Sequence, residues 1–174
     1  MSESNAPQLL MRLKSLDSLP ELAIPSGFNL RFFKEGDEAA WEHIVKTTLF
    51  PMEFEKSIRS AAFYKDERVW FICHEDVPVA TAIAWLNDRF PETTGYVHMV
   101  GALPKWKGRK LGYQITLAVL HQMKRDGMQD VVLETDDFRL PAISIYLDLG
   151  FVPEMNHESH KKRWQDVYAA LGRK

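Results

Sequence analysis

Only one cysteine, Cys73, occurs in 174 residues, which excludes an intramolecular disulfide framework and fits a reducing compartment. No apolar run approaches the ~18 residues needed to span a bilayer. Met1 to Pro7 lack the basic start and apolar core of a signal peptide, so a cytoplasmic location is expected. An excess of one charge is missing too: 22 Lys and Arg stand against 24 Asp and Glu, leaving −2 overall. That balance supplies no basic field for nucleic acid and no polybasic tail for a membrane, and neither partner is expected. A Gly-x-x-x-x-Gly-Lys-Ser/Thr loop is absent, as are the three glycines and later acidic residue of a dinucleotide fingerprint. No repeat or low-complexity segment is present.

What remains is ordinary for a globular chain, with 45% apolar and 26% charged residues. The length predicts one domain able to bury a substantial core. Residues 1–26 read as an extended or partly helical lead-in packed on a single domain spanning 27–174. Strands are predicted at 28–33, 69–73, 77–86, 96–103, 131–133 and from 151, the second and third forming a hairpin around His74-Glu75-Asp76. Helices are predicted from Asp37 to the break at Pro51, over 53–63, 110–125 and 140–149, and across 158–171. This order implies a mixed α/β fold, a mostly antiparallel sheet with helices on both faces, with one parallel crossover spanning 96–133.

The most informative segment runs from Val100 to Tyr113, where an apolar strand meets a glycine-bearing turn that opens a helix. Lys105, Lys107, Arg109 and Lys110 lie within six positions. Such a turn directs unpaired N–H groups and the positive end of a helix dipole to one point, where a diphosphate would sit. Gly108 and Gly112 let a ligand approach the backbone closely. A basic turn whose glycines only relieve strain fits the same letters. Tyr146 stands at helical spacing with Ile143, Leu147 and Gly150, as a core tyrosine or a phenol acting as an acid. His98 shares a strand face with Tyr96, Val100 and Ala102 by period-two alternation, either as a hydrogen-bonded sheet histidine or as a base. Glu134, Asp136 and Asp137 form a solvated turn or an ammonium-attracting cluster. Phe50, Phe54 and Trp85 are core or pocket aromatics. His157 and His160 lack a third ligand, so no metal site is expected.

Residues 96–151, and less specifically 28–154, resemble the GNAT superfamily of acyl-CoA-dependent N-acetyltransferases. The pyrophosphate loop of that family, Arg/Gln-x-x-Gly-x-Gly/Ala, corresponds to Lys107-Gly-Arg-Lys-Leu-Gly112, with Lys107 at the usual Arg/Gln and Lys110 at the usual first glycine. Ala142-Ile-Ser-Ile-Tyr-Leu-Asp-Leu-Gly-Phe151 matches its Ala-x-x-Leu-Tyr-x-x-Leu-Gly-Phe element. Arg139 stands where the family often has Asn. The resemblance implies acetyl-CoA as acyl donor, with Val100 and Ala102 offering backbone groups to pantetheine. The amides from Gly108 through Arg109, Lys110, Leu111 and Gly112 to Tyr113 would hold the pyrophosphate, with Lys107 and Arg139 also on the coenzyme. Tyr146 would be the general acid and His98 the base. The implied activity is acetyl transfer to a primary amine of a small molecule or peptide, by direct attack in a ternary complex, in a monomer or homodimer. Cys73 lies on another strand and offers no acyl-enzyme nucleophile. The alternative is a non-catalytic acyl-CoA-binding sensor or scaffold.

Overall fold

The computed structural model describes residues 6–173. Seven strands, β1 (Leu9–Leu13), β2 (Phe28–Phe32), β3 (Val69–His74), β4 (Val77–Trp85), β5 (Thr94–Ala102), β6 (Asp130–Thr135) and β7 (Val152–Glu154), form one sheet in the order β2-β3-β4-β5-β6-β1-β7. Every neighbouring pair is antiparallel except β5 and β6. Among the described residues, four α-helices accompany them: α1 (Glu38–Thr48), α2 (Leu111–Arg125), α3 (Leu140–Asp148) and α4 (His160–Ala170). The mixed α/β architecture is the one expected.

Each hairpin and cap has a local cause. Glu75 and Asp76 both adopt positive φ (48° and 63°), which makes the two-residue turn between the paired His74 and Val77 match the strand twist. Gly127 ends α2 at φ 79°, with the Met128 amide bonded back to the Met123 carbonyl. At the end of α3, Gly150 has φ 93° and the Phe151 amide donates to the carbonyl of Tyr146 at 3.0 Å. Phe151 is buried and its ring centroid lies 6.0 Å from that of Tyr146. The Gly-Phe pair is therefore a helix cap that also fixes the position of Tyr146.

Two apolar layers sandwich the sheet. On one face α2, α3 and α4 bury Ile115, Leu117, Ile143, Trp164 and Val167 against Met11, Ala82, Val97, Val131 and Leu133. On the other, α1 buries Trp41, Ile44 and Val45 with Phe33, Phe54, Phe71 and Ile83. Beside α1 that second face is closed by a smaller cluster of Leu10, Tyr96 and Val132, capped by Phe90.

Two expectations change. The lead-in contributes β1, inserted between β6 and β7, a strand hidden in the sequence because Leu9-Leu-Met-Arg-Leu13 is too short and too uniformly apolar to show alternation. Residues 1–5 of the lead-in lie outside the described residues; the stretch after β1 crosses α2, with the Ala23 amide donating to Gln114 Oε1 (2.9 Å) and His121 Nε2 2.8 Å from the Pro20 carbonyl oxygen. The helix expected over 53–63 is a single π-type turn at Glu55–Arg59. Glu42 on α1 accepts the Phe54 amide at 2.8 Å and fixes where that turn begins.

Gly101 sets how closely α1 approaches β5: a Cβ there would lie 2.4 Å from Thr48 Oγ1 and 3.2 Å from Ile44 Cγ2. Replacing Gly101 by Ala is expected to cost about 1–3 kcal/mol through overpacking, measured as a shift of the denaturant midpoint. Combining it with Thr48→Ala should recover much of that loss; no recovery would mean the clash lies elsewhere.

Candidate active site

β5 and β6 pair only through Thr94–Asp130, Gly95–Val131 and Tyr96–Val132. Beyond these pairs the strands part. The cause lies on the other edge of β5, where Ile83 pairs with His98 but Thr81 pairs with Gly101, so Met99 and Val100 together oppose Ala82. This is a β-bulge, and Met99 takes φ 50° to make it. A bulge bends its strand and sharpens the local twist, turning β5 away from β6.

The bulge also corrects the expected face alternation. Tyr96 and His98 sit opposite Trp85 and Ile83, toward α1, whereas Ala102 sits opposite Ala80, toward α2. His98 and Ala102 thus lie on different faces. The letters of β5 carry no signal for this, since Met99 is neither glycine nor asparagine.

A cavity of about 470 Å³ fills the gap between the strands, a size suited to a small-molecule ligand. Its lining comes from both sides of the sheet. Gly112, Ala142, Ile145 and Tyr146 contribute from α2 and α3; Thr48, Leu49, Phe50, Tyr96, His98 and Glu134 contribute from the α1 side. The cavity passes through the sheet. Among the expected site residues, Tyr146, His98, Val100, Ala102, Gly112 and Arg139 line it; Lys107, Gly108, Arg109, Lys110, Leu111 and Tyr113 do not. Those six form the adjoining turn and first turn of α2.

That turn leaves several backbone amides unpaired. Gly108 has φ 85° and Lys110 φ 57°, so Lys110 adopts the left-handed conformation despite its Cβ. The amides of Gly108, Lys110, Leu111, Gly112 and Tyr113 have no backbone acceptor among the described residues, whereas the Arg109 amide is used by the Trp106 carbonyl at 3.2 Å. Arg109 therefore offers only its side chain. Leu111 is buried in the core and offers only its N–H. Lys105, Lys107, Arg109 and Lys110 are exposed, and none is ion-paired among the described residues. Gly112 has a second role, because a Cβ there would lie 3.1 Å from Ile145 Cδ1, where α2 meets α3.

Tyr146 is buried, and that burial pushes its hydroxyl up to about 12 although the charge of Arg139 acts the other way. Among the described residues the hydroxyl makes no hydrogen bond, while its ring lines the cavity. His98 is sandwiched by aromatic rings, stacked on Trp85 (5.7 Å, 26°) and tilted against Tyr96 (5.7 Å). Burial lowers its pKa to about 4, so the ring is neutral at physiological pH. Glu134 accepts the Tyr96 hydroxyl at 2.8 Å and a forked pair from Arg89. Burial alone would raise the Glu134 carboxyl, but these bonds outweigh it and hold the pKa below the ordinary range. Burial raises the Tyr96 phenol, as does the neighbouring Glu134 charge.

Other candidates separate. Phe50 lines the cavity, whereas Phe54 is wholly buried beneath α1. Cys73 is buried in the α1-side layer on β3, away from the cavity lining. Asp137 pairs with Arg163 of α4. Sequence reasoning missed Gln8, Thr48 and Leu49 as lining residues; the first depends on β1, and the other two on where α1 stops.

Comparison with known proteins bears on the family and the fold. A model described as the Acetyltransferase (GNAT) family matches residues 31–151. The mycothiol acetyltransferase of Thermomonospora curvata is 29% identical over 164 residues, covering 82% of this chain and 50% of that protein. The chain spans about half the length of the curated relatives it matches. Among solved structures, a GCN5-related N-acetyltransferase from Sphaerobacter thermophilus superposes with a TM-score of 0.67 at 23% identity, covering 86% of this chain and 50% of that one. The ribosomal-protein-S18-alanine N-acetyltransferase from Escherichia coli superposes with a TM-score of 0.61 at 18% identity, covering 74% of this chain and 79% of that one. Structural likeness at such identities speaks for the fold. With the family match extending over more than half of its residues, this chain belongs to the GNAT family of acetyltransferases.

Proposed function

We propose that this acetyltransferase moves an acetyl group from acetyl-CoA to the primary amine of a small molecule, by direct attack while both are bound. One observation carries the reading: a single cavity joins the α2 side of the sheet, with Gly112 and Tyr146, to the α1 side, with His98, Tyr96 and Glu134. Donor and acceptor can therefore enter from opposite faces and meet in the gap. Relatives named for mycothiol support a small-molecule acceptor over a protein one.

The residues fit the donor's chemistry. Five amides without backbone acceptors and four unpaired cations suit a diphosphate. The free edges of β5 and β6 suit the amides of a pantetheine arm, which would bond there as an added strand does. The thioester supplies an acyl group with a thiolate leaving group. As attack proceeds, negative charge gathers on the carbonyl oxygen, and amides at the bulge of β5 would stabilise it. Tyr146, protonated throughout the working pH range, donates a hydrogen bond and then its proton to the departing sulfur, and regains a proton from solvent before the next turnover. His98, unprotonated at neutral pH, takes the proton released by the amine, directly or through water, and passes it to solvent.

Tyr146→Phe should lower turnover by about 100-fold or more and leave acetyl-CoA affinity, read by calorimetry, within about three-fold; unchanged turnover would remove the acid role. Since the pKa of His98 is depressed, its protonated form accumulates only as pH falls toward about 4. The ring resonances should titrate there, and the limb of kcat/KM that His98→Gln abolishes should lie below pH 5 rather than near the ordinary ~6.5. A His98 limb between pH 6 and 7 would show a hydrated ring. In the turn before α2, Lys110→Gly should raise stability by about 0.5–1 kcal/mol by removing a left-handed Cβ and keep acetyl-CoA affinity within about five-fold. Lys110→Val, disfavoured at positive φ, should weaken the affinity well beyond that; equal affinities would place the diphosphate elsewhere.

A further inference from the structure

Arg139 is expected, on family resemblance, at a coenzyme-contacting position. Its hydrogen bonds describe a different task. From the start of α3 its Nη1 donates to the carbonyl oxygen of Thr48, the last residue of α1, at 3.2 Å. Its Nε donates to Asp136 Oδ2 at 3.0 Å, and Asp136 Oδ1 accepts the side-chain amide of Gln8 at 3.0 Å. Gln8, Thr48, Asp136 and Arg139 all line the cavity. They belong to its opposite walls. Asp136 and Arg139 follow β6, whereas Thr48 is seated on β5 through the glycine contact at Gly101.

The mechanical consequence follows from the gap. Past Tyr96 and Val132 no backbone ladder joins β5 to β6. The Tyr96–Glu134 bond ties the strands close to where they part, and Arg139 ties the open end. A helix C-terminus leaves its last carbonyls without intrahelical partners, and a guanidinium fork can satisfy one of them while holding a carboxylate. Leu49 and Phe50, which follow Thr48 directly, form the cavity wall on the α1 side. A residue holding Thr48 therefore positions that wall. The Phe138 ring, 75% exposed, lies with its centroid 5.2 Å from the guanidinium carbon, within cation–π range.

We infer that Arg139 is a positioning residue: a strap that spans the open end of the slot and holds the C-terminal turn of α1 as the wall against which the acceptor amine is aligned. The inference rests on the acetyl-transfer reading for its catalytic consequence, and on the contacts alone for its structural one. Lysine in its place can reach one of the two acceptors but cannot hold both in a fixed fork.

The test compares wild type, Arg139→Gln and Arg139→Lys in three measurements. Amide hydrogen exchange of peptides covering residues 46–52 should quicken by about ten-fold or more in the Gln variant, the fold-change for losing one charge-assisted hydrogen bond, with partial recovery in the Lys variant. Acetyl-CoA affinity by calorimetry should stay within about three-fold, since a strap of this kind makes no contact with the phosphates. For the primary amine that the wild type acetylates fastest in a panel read by free-thiol release, KM should rise by about ten-fold or more in the Gln variant while KM for acetyl-CoA holds. Unchanged exchange at 46–52, or a loss confined to acetyl-CoA affinity, would overturn the strap and return Arg139 to the coenzyme. If wild type itself gives no heat with acetyl-CoA, the acetyl-transfer reading fails, while the exchange result still decides the strap.

Discussion

The structure turns on the parting of β5 from β6. A parallel pair that stayed hydrogen-bonded along its length would be a closed sheet with no passage from face to face. The extra residue at Met99 bends β5 out of register with β4, and the ladder to β6 ends after three pairs. Backbone groups on the two freed edges then need partners other than each other. An extended, amide-bearing ligand can meet that need, and the proposed acetyl-CoA reading rests on it.

The two ends of the gap are electrostatically unlike. Around α2 the backbone presents unbonded amides and uncompensated cations, a field aimed at anions. On the α1 side the carboxylates of Glu134 and Asp136 are already held by Arg89 and Arg139, so neither presents an unpaired charge to the cavity among the described residues. Tyr146 and His98 are both driven by burial toward their neutral forms, which for a phenol means a retained proton and for an imidazole a vacant lone pair. One physical cause, removal from water, thereby keeps both groups uncharged in the same cavity.

Rigidity comes from short-range devices distributed around the gap. The Gly150–Phe151 cap sets α3, and through it Tyr146. Gly112 allows α2 to meet Ile145 closely, and Gly101 allows α1 to sit flush on β5. β1, inserted between β6 and β7, backs the β6 wall with a ladder that β5 does not supply. The ion pairs of Arg12 with Asp130 and Glu154 cross these three strands on the α1-side face.

Much of this was legible in the sequence because it depends on local physics. Helical periodicity located α1, α2, α3 and α4. The turn at Glu75-Asp76 announced the β3–β4 hairpin, and Lys107 to Gly112 announced a cationic, glycine-bearing turn opening α2 by residue type and position. Lys110 entering the left-handed region follows from the loop, because its place in the motif demands that conformation whatever residue occupies it. The facts that required tertiary structure are those of pairing. Leu9–Leu13 became an inner strand only because β6 and β7 left a space between them. The residues at 53–63 form only a π-type turn, in which the Ser60 amide bonds back five positions to the Glu55 carbonyl. His98 and Ala102 were assigned to opposite faces by a bulge that exists only relative to β4. Arg139 met Thr48, 91 positions away in sequence, only after two separate strands had carried their helices to the same opening. Sequence determines which way each segment can bend and which face it can bury; which segments stand side by side, and so where a gap opens, is decided by the sheet as a whole, because a hydrogen-bond ladder belongs to two strands at once.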